Sequence, residues 1–235
     1  MKTKKRVLLK LTGKILLSKQ HNLSATLITK IISQIKQLKN THHFGIVVGG
    51  GNILRGEEQG KQLGLTPTFG HQAGMLSTMI NGLILKDLFD QQGLEASLLS
   101  AITCPQIADP ISQQQVDASL DQGKVILFVG GTGAPFFTTD TNAVVRCLQI
   151  GASEVWKGTG VDGIYGSDPA KDRDATLIKK ITYSDAISQK LGIMDTTAMA
   201  LAQTYNVTIR VFNIFEPDAL LRASKSLNFG SIINK

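Results

Sequence analysis

Cysteine is scarce. Cys104 and Cys147 are the only two among 235 residues, and neither stands in a C-x-x-C or Cys/His ligand spacing. That excludes a disulfide framework, and the pair reads as reduced structural thiols. Long apolar runs are missing too: no stretch approaches the roughly 18 residues of a membrane span. The opening MKTKKRVLLKLTG starts basic, like a signal peptide, but Lys10 and Thr12 cut its apolar run before an h-region forms. A cytoplasmic chain with no membrane partner is expected. Basic stretches interleaved with aromatics are absent, so a net charge of +7 offers nucleic acid only non-specific affinity. No nucleic-acid partner is expected, and phosphorylated small ligands account for the charge at least as well. No G-x-x-x-x-G-K-[ST] occurs, which excludes a P-loop enzyme. Gly158, Gly160 and Gly163 do match G-x-G-x-x-G, yet Gly166 and Pro169 fall where the helix of a dinucleotide fold would begin.

What is present is an alternation. Hydrophobic residues make up 42% and charged residues 18% of the chain, the profile of a globular protein able to bury a substantial core. Apolar and β-branched runs predict strands at 7–11, 44–48, 96–99, 125–129, 154–157, 207–212 and 231–233. Helical spacing predicts a helix capped by Ser24 and running through Leu38, others at 71–89, 113–121, 142–150, 183–190 and 195–205, and a short one after Pro217. Residues 158–174 are turn-rich. Strands separated by helices throughout predict an α/β fold, an αβα sandwich around a mostly parallel sheet, with no clear linker in the chain.

The 23 glycines cluster at strand ends, where open parallel sheets bind ligands. The first strand ends in Lys10, Leu11, Thr12 and Gly13. The second ends in Gly49, Gly50 and Gly51, followed by Arg55. A third ends in Gly130 and Gly131 and runs on into a hydroxyl-rich segment, Thr132 to Asp140. Glycine lets backbone approach an anion closely, and free N–H groups ahead of a helix favour phosphate oxygens. An ammonium and a guanidinium suit a transferring phosphoryl group, where positioning is most of the catalysis. The plainer alternative is three tight turns and a solvated Lys10. The three coinciding at one sheet edge favour the phosphate reading.

These strings also resemble a known family. K-L-T-G from Lys10, G-G-G-N-I-L-R-G from Gly49, G-M-L-S-T-M-I-N-G from Gly74 and T-G-A-P-F-F-T-T-D from Thr132 are similar, in order, to those of bacterial uridylate kinases of the amino acid kinase superfamily. So are K-G-T-G-V-D-G-I-Y-G-S-D-P from Lys157, I-M-D from Ile193 and R-V-F-N from Arg210. The segment from Thr132 is specific to uridylate kinases, whereas the triple glycine is shared across the superfamily. The resemblance implies transfer of the γ-phosphate of ATP to UMP, giving UDP for pyrimidine nucleotide biosynthesis, with Mg2+ carried by ATP. It implies one domain over 1–235, with a UMP-binding half at roughly 1–150 and an ATP-binding half at roughly 151–235. The implied ATP residues are Lys10, Leu11, Thr12, Gly13, Gly51, Arg55, Thr159, Tyr165 and Asp168. The implied UMP residues are Gly50, His71, Thr132, Gly133, Ala134, Pro135, Phe136, Phe137, Thr138 and Thr139. Lys10, Arg55, Asp140 and Asp195 form the implied catalytic set: Asp195 would orient Lys10 or other groups on the phosphoryl path, and Asp140 would order the helix start behind the acceptor loop. Each aspartate also has a plainer reading as a local structural residue, Asp195 as an N-cap. A homohexamer and feedback by UTP are implied as well. The competing readings are a nucleotide sensor or storage protein of this fold and a superfamily kinase with a carboxylate acceptor.

The sequence departs from the family in places. His71 stands where the family has an aspartate that holds the UMP ribose, and an imidazole offers one acceptor in place of a carboxylate's several. A retained but altered contact, a register change and an altered monophosphate specificity all remain open. Lys14 replaces a glutamate beside the phosphate path, and Gly158 and Gly160 replace an alanine and a polar or basic residue. Lys86, Asp90 and Ser97 stand where GTP-activated members carry Arg or His, so GTP activation is not expected.

Overall fold

A computed structural model describes residues 4–235 apart from 19, 21, 57, 168 and 173. The first strand, β1 (Lys5–Leu11), is apolar on both faces because it lies at the centre of a sheet covered on both sides. Val7, Leu9 and Leu11 enter one core and Leu8 the other. The next elements are a 3-10 turn (Gly13–Leu16), α1 (Thr26–Leu38), β2 (His42–Val48), α2 (Glu58–Gln62), α3 (Pro67–Gln91), β3 (Ala96–Ser100), β4 (Asp109–Pro110), α4 (Gln113–Asp121) and β5 (Val125–Val129). The chain continues through α5 (Thr139–Gln149), β6 (Glu154–Thr159), β7 (Ile164–Tyr165), β8 (Leu177–Ile178), β9 (Lys180–Thr182), α6 (Tyr183–Ser188), α7 (Thr196–Thr204), β10 (Thr208–Asn213), α8 (Ala219–Lys225) and β11 (Ser231–Asn234).

The described strands form a nine-stranded sheet in the order β4-β3-β5-β2-β1-β6-β10-β11-β9, while β7 and β8 make a separate hairpin. Within the large sheet only the β10·β11 pairing is antiparallel. Apolar side chains of α1, α3 and α8 fill one core, and those of α4, α5, α6 and α7 fill the other. The α/β sandwich expected from the alternation is thus the fold. Strand β1 pairs with β2 on one side and β6 on the other. Its carboxyl end is therefore the switch point of the sheet, where a crevice opens between diverging connections.

Three helix starts differ from the periodicity. In α1 the Ser24 hydroxyl does accept the Thr26 N–H at 3.3 Å as a cap would, but Ala25, already helical in its dihedrals, comes between it and the regular helix from Thr26. Helix α3 begins four residues before the predicted His71, because extended Thr66 is followed by Pro67, whose fixed φ suits a first helical position. Helix α5 begins at Thr139 and not at Asn142, because the Thr138 hydroxyl accepts the backbone N–H groups of Asp140 and Thr141.

Candidate active site

Alternation along β1 sends Lys10 to the same face as Leu8, toward the first turn of α5. There its Nζ lies 3.1 Å from Asp140 Oδ1. Lys157 is the register partner of Lys10 on β6, and its Nζ donates to Asp140 Oδ2 at 2.8 Å and to the Ile193 carbonyl oxygen. Two ammonium groups on adjacent strands thus share one carboxylate, and all three side chains are largely buried. Burial pushes the Asp140 carboxyl up, but Lys10 and Lys157 together outweigh it and hold the group below the usual carboxylate range. For Lys157, burial is the largest influence and lowers the ammonium pKa; Asp140 opposes it and Lys10 adds to it. The Lys10 contact lacks hydrogen-bond direction, so Asp140 Oδ1 is buried with no hydrogen-bond partner of its own.

The carboxylate nearest the Lys10 ammonium is therefore Asp140, while Asp195, expected to orient Lys10 or other groups, holds other groups. Among the described residues Asp195 makes no ion pair with Lys10. It caps α7 through the Ala198 N–H at 2.9 Å and receives the hydroxyls of Thr138 and Thr141, the latter at 2.9 and 3.0 Å. Both readings of Asp195 are thus partly met: it is an N-cap, and it fixes the start of α5, the helix from which Asp140 reaches the lysines.

A cleft of about 490 Å³ opens beside this cluster, between the loop after β2, the start of α3 and the segment before α5. Gly50, Gly51, Arg55, His71, Phe137, Thr138 and Thr139 line it. Gly51 and Arg55, expected with the ATP residues, thus share a wall with Gly50, His71 and Thr138, expected with the UMP residues. Thr132, Gly133, Ala134, Pro135 and Phe136 are not among the lining residues. They shape the approach instead: Gly130, Gly131, Gly133 and Phe136 all have φ between 61° and 81°, and the Thr132 hydroxyl closes the bend onto Ala134 through both its N–H and carbonyl oxygen. Left-handed backbone is cheap for glycine and costly for phenylalanine. Phe136 is 62% exposed, and its ring meets that of His71 at 4.9 Å between centroids. His71, the departure from the family pattern, is thus a wall residue of the cleft that also touches the segment from Thr132 to Thr139 through Phe136.

The glycine loops at the ends of β1 and β2 touch. A Cβ on Gly13 would lie 2.1 Å from Asn52 Oδ1 and 2.6 Å from the Gly49 carbonyl oxygen. Leu11 is fully buried, and its carbonyl oxygen accepts the Gly49 N–H at 3.0 Å. Thr12 caps the 3-10 turn, accepting from the Lys14 N–H at 3.4 Å. Asn81, fully buried on α3, exchanges side-chain hydrogen bonds with Asn52 and donates to Gly49 O at 2.8 Å, locking the β2 loop to the helix. Lys14 lines neither this cleft nor the next: it sits with Leu17, Lys30 and Phe215 in a separate surface depression.

A second cleft, of about 550 Å³, lies on the other side of the cluster and is lined by Lys157, Thr159, Tyr165, Leu191, Gly192 and Ile193 among others. Two expected ATP residues, Thr159 and Tyr165, meet here; the third, Asp168, lies outside the described residues. Gly158 has a packing reason, since a Cβ would come 2.9 Å from Ile214 Cβ. Lys157 and Asn81 stood inside the quoted motifs without being singled out. The available signal was a lysine directly after the apolar pair Val155 and Trp156 in a predicted strand; its place beside Lys10 comes only from the register of β6 on β1. Among the described residues no group of three or more His, Cys, Asp or Glu side chains could hold a metal ion, and Asp140 is already committed to two lysines.

Clefts opening on both sides of one cationic junction suit a group-transfer protein, whose two anionic ligands must meet end to end. The chain belongs to the amino acid kinase family, whose model matches residues 5–213. A relative from Mesorhizobium japonicum named uridylate kinase is 42% identical over 214 residues, covering 90% of this chain and 89% of its own. Another of that name, from Methylococcus capsulatus, is 37% identical over 231 residues, covering 97% and 96%. Among solved structures, UMP kinase from Ureaplasma parvum matches with a TM-score of 0.93 at 33% identity, over 99% of this chain and 100% of that one. UMP kinase from Bacillus anthracis matches with 0.92 at 31%, over 98% and 96%. The resemblance read from the motifs is borne out.

Proposed function

We propose that the protein is a uridylate kinase that transfers the γ-phosphate of ATP to UMP, giving UDP for pyrimidine nucleotide synthesis in the cytoplasm. The observation that carries this reading is the Lys10, Asp140 and Lys157 cluster between two clefts, in a chain whose relatives bear that name. UMP would occupy the cleft of Gly50, His71 and Thr138, built mainly by residues 1–150, and ATP the cleft of Thr159 and Tyr165, built by 151–235. A phosphate monoester has a second pKa of about 6, so its attacking oxygen is already ionised at neutral pH and no general base is required. Lys10 would stabilise the charge of the transferring phosphoryl group, Asp140 would hold that ammonium in place, and Arg55 would face the same phosphates from the acceptor wall. Mg2+ would arrive bound to the ATP phosphates and supply further charge neutralisation.

An exposed apolar stripe on α3, with Phe69, Leu76, Ile80 and Leu83 at helical spacing, supports self-association, here proposed as a homohexamer. Feedback by UTP is proposed from the family alone. The test is a coupled assay with Mg-ATP and a panel of UMP, CMP, dTMP, AMP and carboxylate acceptors. UMP should be the preferred acceptor. Turnover only with a carboxylate would favour another superfamily kinase, and tight nucleotide binding without turnover would favour a sensor or storage protein.

A further inference from the structure

Two tethers join the donor cleft to the acceptor loop through one short segment, residues 191–195. Leu191, Gly192 and Ile193 line the donor cleft. The Ile193 carbonyl oxygen accepts from Lys157, whose ammonium also holds Asp140 in the first turn of α5. Two residues further, Asp195 receives the hydroxyls of Thr138 and Thr141, and Thr138 lines the acceptor cleft. The Lys157 side chain is 10% exposed, so its ammonium has little water to fall back on when either acceptor moves. An apolar residue would fill this strand position at lower desolvation cost, and a purely structural position within β6 has no need of a second cation in register with Lys10.

We propose that Lys157 is a positioning residue that couples the two clefts, so that a ligand settling against residues 191–193 fixes the acceptor loop for the second ligand. The proposal rests on the uridylate kinase reading for the identity of the ligands. A nucleotide pressing on Ile193 shifts the carbonyl that Lys157 holds. Lys157 and Asp140 pass that shift to the start of α5, and Asp195 passes it in parallel to Thr138. Coupling of this kind is reciprocal: ATP tightens UMP by the factor by which UMP tightens ATP.

The experiment measures UMP dissociation constants by calorimetry with and without the non-hydrolysable analogue β,γ-imido-ATP and Mg2+, in the parent, Lys157→Met and Lys157→Arg. The readout is the ratio of the two constants, which a general loss of stability does not move in a chain that remains folded. The parent ratio should be about fivefold or more, fall to near one in Lys157→Met, and be partly restored in Lys157→Arg. Should the methionine variant fail to fold, Asp195→Asn cuts the parallel tether and should lower the same ratio. A ratio of one in the parent, or an unchanged ratio in the folded variants, overturns the coupling while leaving the kinase reading intact. A parent that binds no UMP at all overturns the kinase reading and the coupling with it.

Discussion

At the end of β1 the Lys10 ammonium faces a carboxylate already claimed by a second lysine, and most of the site's electrostatics follow from that sharing. Removing the charge of Asp140 leaves two buried ammonium groups without their counter-charge, which costs about 3–5 kcal/mol in comparable buried pairs. Asp140→Asn should therefore unfold at clearly lower urea concentration at neutral pH and lose most of its turnover. The pH dependence has a definite sign. The folded-state pKa of Asp140 lies below its ordinary value of 3.8, so its stabilisation is complete above that value and is lost as pH falls through the folded-state value. The stability gap between parent and Asp140→Asn should stay constant from about pH 7 to about pH 5 and shrink below about pH 4. A gap that already closes near neutrality would contradict the ion-pair assignment. The His71 ring packs on Phe136, which holds a left-handed backbone in an exposed loop. An aromatic pair is worth about 0.5–1.5 kcal/mol, so His71→Ala should raise the UMP KM about threefold to tenfold, and more than the ATP KM. Equal UMP KM values in steady-state kinetics would remove that role.

The elements that could be read in advance are those that bury themselves on both sides. Strands β1, β2 and β5 carry apolar runs because helices cover both faces of the sheet, and α1 shows its buried isoleucines at helical spacing. Helix starts were less legible, since they depend on single hydroxyls and on Pro67, which act locally and leave no period. Strands β7, β8 and β9 span two or three residues, too short for any alternation to show. Within the site, the glycine loops were visible because their composition is unusual, whereas Lys157 was hidden in a motif and the Asp140 pairing depends on α5 docking over β1. Arg210 shows the same limit. Its motif stood out, but its work is to end α8: the buried guanidinium donates to the Ala223 and Ser226 carbonyl oxygens at 2.6 and 2.7 Å and stacks over Trp156. Arg210→Met orphans those carbonyls, at about 2–3 kcal/mol. Calorimetry should show Tm falling by roughly 5–10 °C, and an unchanged Tm would mean that α8 ends without it.

Across the whole molecule, one sheet carries both clefts, and its switch point sets them on either side of the lysine pair. That arrangement makes the molecule a single transfer device. The exposed stripe on α3 shares its helix with His71 and Gly74, which line the cleft beside the β2 loop. A second copy packed on that stripe would stiffen the helix that carries them. Ile80→Asp should lower the mass measured by light scattering, because a buried unpaired carboxylate opposes association, and an unchanged mass would place the interface elsewhere. Lys10 at this switch point is proposed to serve phosphoryl transfer to UMP. Phosphorus NMR of Mg-ATP and UMP incubated with the parent and with Lys10→Met tests it most directly. The parent should give stoichiometric UDP and ADP, and the variant a rate roughly 100-fold or more lower; no UDP from the parent, or equal rates from the two, would exclude that role for Lys10.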